Sequence, residues 1–234
     1  MGKREDRRWR LVKALLVLFT AHCSLFTASA QEDPEYRLEV GAGAGIVTYL
    51  GDYNGNLLKN AQPWGAVTAK YKMNPRMAVG LTIGYGKLKG NSDNAETWYP
   101  QERYEFDKSM VDIGLRYEYN FWAYGTGREY RGAKKLAPFI AIGLGATLYG
   151  GSEKGATANI PLGAGIKYKL GERLNLTAEW RMHFTLSDKL DDVSDPYGIK
   201  SSGLFKNTDC YSVLQATLTY DLWAKCKTCN NDRY

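Results

Sequence analysis

Ser109-Met-Val-Asp-Ile-Gly-Leu-Arg-Tyr-Glu-Tyr-Asn-Phe121 alternates without a break between two kinds of residue. Val111, Ile113, Leu115, Tyr117, Tyr119 and Phe121 are apolar or aromatic; Asp112, Gly114, Arg116, Glu118 and Asn120 between them are polar or glycine. A period of two is that of a β-strand, whose successive side chains leave opposite faces. A half-buried strand of a soluble protein needs only five or six such residues. This run is about as long as a tilted strand needs to cross a bilayer, roughly 9–11 residues.

The pattern recurs along the chain. Leu174, Leu176, Ala178, Trp180, Met182 and Phe184 oppose Asn175, Thr177, Glu179, Arg181, His183 and Thr185. Ile160, Leu162, Ala164, Ile166, Tyr168 and Leu170 oppose Gly163, Gly165, Lys167 and Lys169. Segments of this kind fall at about 36–50, 64–73, 77–88, 106–122, 136–149, 159–170, 174–185 and 210–223, which makes eight. Asn74-Pro75-Arg76 and Gly171-Glu172-Arg173 read as tight turns, whereas 51–63, 89–105, 150–158 and 186–209 are longer and polar. Short turns alternating with long loops are the habit of outer-membrane barrels, with the turns on the periplasmic side. The connection 123–135 is the exception, a long one where a short one belongs. The expected fold is all-β: an eight-stranded antiparallel transmembrane β-barrel, both termini periplasmic, with a short periplasmic C-terminal tail.

Composition agrees. Of 234 residues, 44% are hydrophobic, too many for a disordered chain. Beyond residue 30 no apolar run approaches the roughly 18–20 residues of a membrane helix. The formal charge of +6 is concentrated at the start, where Lys3, Arg4, Arg7, Arg8, Arg10 and Lys13 face only Glu5 and Asp6. The remainder is nearly balanced, so the surplus gives no argument for nucleic acid. A basic stretch, an apolar segment from Ala14 to Phe26 and then Ala28-Ser29-Ala30 read as a signal peptide over 1–30. The barrel, in contact with outer-membrane lipid, then occupies 31–223, and the periplasmic tail 224–234.

Glycines fall on the polar face at Gly41, Gly43, Gly45, Gly80, Gly84, Gly86, Gly143, Gly145, Gly163 and Gly165, as a tightly curved narrow wall requires. Trp64, Tyr149, Trp122 and Trp223, near strand ends, are expected in the aromatic girdles, whereas Trp180 is mid-strand. Asp112, Arg116, Glu118, Lys167, Glu179 and Arg181 are expected to point inward, where charges must pair. They form the expected lumen network. His183 is the one histidine after residue 30, with Thr185 and Glu179 on its face. An acyl-transfer site in a lipid-modifying barrel would need such a base, a hydroxyl and an orienting carboxylate, but these residues abound in any lumen. Asp188, Asp191, Asp192 and Asp195 are acidic enough to attract calcium but lack EF-hand order, so no metal or cofactor is expected.

Cys210 opens the eighth strand, and Cys226 and Cys229 lie in the tail. A strand of about twelve residues at about 3.3 Å each separates the two locations, beyond the reach of a disulfide. In an oxidising compartment Cys226 and Cys229 either close on each other, bond a partner, or do neither.

Three further segments carry a family likeness: Tyr49-Leu-Gly-Asp-Tyr-Asn-Gly-Asn-Leu57, Tyr71-Lys-Met-Asn-Pro-Arg-Met-Ala-Val-Gly-Leu81, and Thr185-Leu-Ser-Asp-Lys-Leu-Asp-Asp-Val-Ser194. The last is the most distinctive. Together they resemble the PorG family, outer-membrane barrels of the type IX secretion system in Gram-negative Bacteroidota, over about Glu39 to Trp223. That resemblance implies a non-enzymatic component that ties a periplasmic ring of the lipoprotein PorK and of PorN to the outer membrane, with no catalytic residues to carry over. The alternatives of a different class are an OmpA- or OmpX-like barrel acting in adhesion or envelope integrity, and a lipid-modifying enzyme.

Overall fold

A computed structural model describes residues 36–50, 60–91, 105–125, 133–150, 154–186 and 210–224. Within them lie eight strands: β1 (Tyr36–Leu50), β2 (Gln62–Asn74), β3 (Met77–Asn91), β4 (Glu105–Asn120), β5 (Leu136–Gly150), β6 (Lys154–Lys169), β7 (Leu174–Thr185) and β8 (Cys210–Ala224). Each pairs antiparallel with the next, and β8 closes on β1 from Tyr36↔Ala224 to Leu50↔Cys210, giving a closed barrel. No edge strand is left to pair with another chain. One mouth, the turn end, carries the connections 75–76, 121–135 and 170–173; the other, the loop end, carries 51–61, 92–104, 186–209 and, in place of the long loop expected at 150–158, the three-residue connection 151–153.

The alternation sets the two faces. Val67, Leu115, Ile142, Leu144, Ile166, Leu214 and Leu218 all face outward and are exposed. A continuous apolar belt of this kind is inside-out for a soluble barrel, and hydrocarbon is the solvent that suits it. The turn end is ringed by outward aromatics, including Tyr71, Phe121, Trp122, Tyr168, Tyr220 and Trp223. Trp223 reaches that ring by an unusual route. Its parity would send it inward, but a φ of 55° turns it out to 67% exposure. That left-handed backbone costs a non-glycine residue roughly 1–3 kcal/mol.

Two of the four residues expected in the girdles lie elsewhere. Trp64 and Tyr149 are inside the barrel, nearly fully buried. Both sit at inward positions of their strands, and each fills a space left by glycine on the neighbouring strand. A Cβ on Gly84 would fall within the Trp64 ring, and one on Gly155 would meet the Tyr149 phenol. Nearness to a strand end says nothing about face; parity does. Strand β6 also starts earlier than its pattern suggests, because Gly155, Ala156, Thr157 and Ala158 are too small to show strong alternation, although they pair with Tyr149 to Thr147 and Ala146 of β5.

Mid-strand Trp180 faces outward, its indole N–H donating to Ser212 Oγ at 2.8 Å. The ring meets lipid while its one polar atom is satisfied by the adjacent strand.

Candidate functional site

The lumen is the chemically dense part of the molecule. Its turn-end half is built from inward residues of β1, β2, β4, β6 and β8. Lys169 Nζ lies 2.7 Å from Asp221 Oδ2, and Lys72 Nζ lies 2.5 Å from Asp221 Oδ1 and 3.1 Å from Glu39 Oε2. Lys70 Nζ then sits 3.7 Å from Glu39 Oε1 and 3.1 Å from Glu118 Oε2, and Lys167 pairs with the other Glu118 oxygen. Four lysines thus alternate with three carboxylates in one unbroken chain that leaves β6 at Lys169 and returns to it at Lys167. Thr219 Oγ1 donates to Glu39 Oε1 at 2.6 Å. Buried charges persist only when paired in this way.

The long connection after β4 is what covers this network. Tyr124 is buried, its N–H donating to Pro75 O at 3.0 Å and its hydroxyl to Asn175 Oδ1 at 2.9 Å. The ring lies 5.6–5.9 Å from the Lys72, Lys167 and Lys169 ammonium groups, within cation–π range. Burial, reinforced by Glu39, Asp221 and Glu118, pushes the phenol well above its ordinary range, so it remains a donor.

Further toward the loop end, Arg116 pairs across the lumen with Glu179, which Arg181 Nε approaches to 3.4 Å. Trp64 Nε1 donates to Gln215 Oε1 at 2.9 Å. Asp112 Oδ1 accepts from Asn159 Nδ2 at 2.6 Å, from the Tyr211 hydroxyl at 2.8 Å and from Thr147 Oγ1 at 3.2 Å. Above these, Val47, Tyr49, Trp64, Ala66, Leu88, Phe106, Met110, Tyr149, Tyr211 and Val213 form an apolar cluster inside the barrel. The charges of the inward face are concentrated over its turn-end and middle levels; at the level of the apolar cluster Lys108 is also buried, its ammonium 5.0 Å from the centroid of the Tyr149 ring.

All six residues anticipated for a lumen network, Asp112, Arg116, Glu118, Lys167, Glu179 and Arg181, are buried on the inner wall. The structure adds Glu39, Lys70, Lys72, Lys169, Asp221 and Tyr124. The strand residues among them share the inward parity of their strands and were open to the same reading; Tyr124 had no such signal. His183 is fully buried and stacked on Tyr211, ring centroids 4.3 Å apart. Neither of its ring nitrogens has a hydrogen-bond partner among the described residues, and the nearest carboxylate is Asp112, 3.8 Å away. Glu179, the carboxylate on its own strand face, is engaged by Arg116 and Arg181. No hydroxyl–imidazole–carboxylate line is assembled here. Cys210 opens β8 at the loop end, opposite Leu50 and Phe184. The segment 1–30, the Asp188–Asp195 loop, and Cys226 and Cys229 of the tail lie outside the described residues.

The model of the outer membrane protein beta-barrel domain matches residues 14–210. The chain belongs to this family. It is an outer-membrane β-barrel, in keeping with its apolar outer belt. No curated protein matches its sequence. Among solved structures it is similar to Neisserial surface protein A, with 16% identity over 79% of this chain and 97% of that one, TM-score 0.48. It is also similar to OprG of Pseudomonas aeruginosa, with 10% identity over 83% of this chain and 99% of that one, TM-score 0.46. Ail of Yersinia pestis, with 10% identity, covers 81% of this chain and 99% of its own length, TM-score 0.44.

Proposed function

We propose that this barrel is a non-enzymatic component of the type IX secretion system, with its turn end in the periplasm holding the PorK and PorN ring against the outer membrane. The sequence likeness over the three segments around Tyr49, Tyr71 and Thr185 motivates the system. The observation that carries the docking role is the charge of the turn end. Arg37, Arg76, Lys134, Lys135 and Arg173 are exposed there, against the single exposed carboxylate Glu172 among the described residues. Lys134 is held over the Trp122 ring at 4.3 Å, and Arg76 donates to Phe121 O at 3.2 Å, so part of this face is preset. A lumen crossed by ion pairs and capped by Tyr124 suits an anchor and does not suit a conduit for folded cargo.

The test replaces the chromosomal copy with Lys134→Glu/Lys135→Glu/Arg173→Glu. The barrel should still reach the outer membrane, but ring proteins should no longer copurify with it and cargo should stay in the cell. Normal secretion from a strain lacking the barrel altogether would overturn the reading in favour of an adhesion or envelope role, in which the loops 89–105 and 186–209 matter. Loss of a lipid modification in His183→Ala would instead point to an enzyme; the secretion reading expects an unchanged lipid profile.

A further inference from the structure

In the middle of the lumen two like charges converge on one atom. Arg116 of β4 and Arg181 of β7 both direct their guanidinium groups at Glu179 Oε1, Arg116 through Nη1 and Arg181 with Nε at 3.4 Å. Among the described residues Glu179 is the only carboxylate within 4 Å of either group. Its other oxygen, Oε2, accepts from Gln215 Nε2 at 3.5 Å. The two arginines are 4% and 2% exposed, so bulk water does not screen their repulsion.

Both groups also keep donors in reserve. Arg116 Nε, Arg181 Nε and Arg181 Nη2 have no hydrogen-bond partner among the described residues. Both ring nitrogens of His183, two residues along β7 on the same face, are likewise unpartnered. Buried N–H groups of a charged side chain are costly to leave unsatisfied. The nearby acceptors do not meet this demand: Asp112 Oδ1 already takes Asn159, Thr147 and Tyr211. The wall beside Arg116 has room of atomic size. A Cβ on Gly114 would find nothing nearer than Asp112 Oδ2 and Leu144 O, both at 3.9 Å. At Gly143 and Gly163, by contrast, it would meet Arg116 Cβ at 2.9 Å and Arg181 Cγ at 3.1 Å, because the arginine stems lie over those glycines.

The charge count has the same sign. Leaving Lys108 aside, the described inner wall holds six cations (Lys70, Lys72, Arg116, Lys167, Lys169 and Arg181) against five carboxylates (Glu39, Asp112, Glu118, Glu179 and Asp221). Water would satisfy the spare donors but would leave the surplus charge and the repulsion between the guanidiniums. A negative ion answers all three.

We infer that the lumen binds one small inorganic anion, of the halide class, between Arg116 and Arg181. Arg116 Nε and Arg181 Nη2 donate to it, and the N–H of His183 is the next donor along β7. Asp112 Oδ2 borders the same space and keeps the ion on the guanidinium side. So placed, the ion ties β4 to β7 across the barrel alongside Glu179. The site is independent of the secretion reading and of which end of the barrel faces the periplasm.

The test uses the full chain refolded in neutral detergent micelles. Crystals grown in sodium bromide and measured at the bromine absorption edge should show an anomalous peak inside the barrel, against Arg116 and Arg181. Urea unfolding is then compared in sodium chloride and in sodium gluconate, whose anion is too large for the site, at equal sodium concentration. Once the site saturates, about tenfold more chloride should raise the folded-to-unfolded ratio by roughly tenfold beyond the gluconate response. Arg181→Gln, verified as folded by heat-modifiable migration on gels, should lose both the bromide peak and the chloride increment. The bromide measurement on the wild-type chain decides the matter even where that variant does not fold. A lumen without a bromide peak, or bromide confined to the outer surface, would overturn the site in favour of ordered water. Equal responses of the wild type to chloride and gluconate would overturn it as well.

Discussion

The Tyr124 hydroxyl donates a 2.9 Å hydrogen bond to Asn175 Oδ1, joining the β4–β5 connection to the inner wall of β7. A connection that is too long for a barrel turn is thereby used as a stopper. Tyr124→Phe removes one hydrogen bond and should lower stability by about 0.5–1.5 kcal/mol, while Tyr124→Ala, which also uncovers the lysines, should cost more. Urea unfolding of the refolded barrel in micelles reads both.

The same residue predicts a pH effect. Its folded pKa is raised, chiefly by burial, so its contribution is complete below the unfolded tyrosine value of about 10 and declines as pH rises above it. Wild type should lose stability relative to Tyr124→Phe between about pH 10 and pH 11, and the two should run parallel at lower pH. Parallel curves throughout that window would mean that the phenol ionises freely in the folded barrel.

Breaking the alternating chain of charges should cost more than any hydrogen bond. Glu118→Ala leaves Lys70 and Lys167 without their shared carboxylate and should destabilise by about 3–5 kcal/mol. Lys167→Met should also cost stability, and in a double-mutant cycle the pair Glu118→Ala/Lys167→Met should fall well short of the sum.

The packing of Trp64 against β3 makes Gly84 a position where one methyl matters. Gly84→Ala places a Cβ inside the indole and should cost about 1–3 kcal/mol through forced displacement. Combining it with Trp64→Leu should recover part of that loss, at the expense of the Gln215 hydrogen bond.

On the lipid side, Ser212→Ala strands the Trp180 N–H in an apolar environment, at about 1–3 kcal/mol. Ser212→Ala added to Trp180→Phe should cost almost nothing further, since no donor then remains to satisfy. A large additional loss in the double variant would show that Ser212 serves another partner.

Much of this molecule can be read from residue order. A period of two assigns each side chain of a strand to one face, and hydrocarbon outside the wall leaves only the polar face for the interior. Strand number, closure, and the inward positions of Asp112, Arg116, Glu118, Lys167, Glu179 and Arg181 follow from that alone. The height of a residue in the barrel does not, because it depends on how far each strand is shifted against its neighbours. That shift brings Glu39 of β1 between Lys70 and Lys72 of β2, closes the chain on Lys167 and Lys169, and gathers Trp64, Tyr149 and Phe106 into an apolar cluster at one end of the same inner face. Tyr124 and Trp223 escape alternation altogether: one lies in a connection and the other takes a left-handed turn, so backbone geometry, which no residue pattern records, decides where each points.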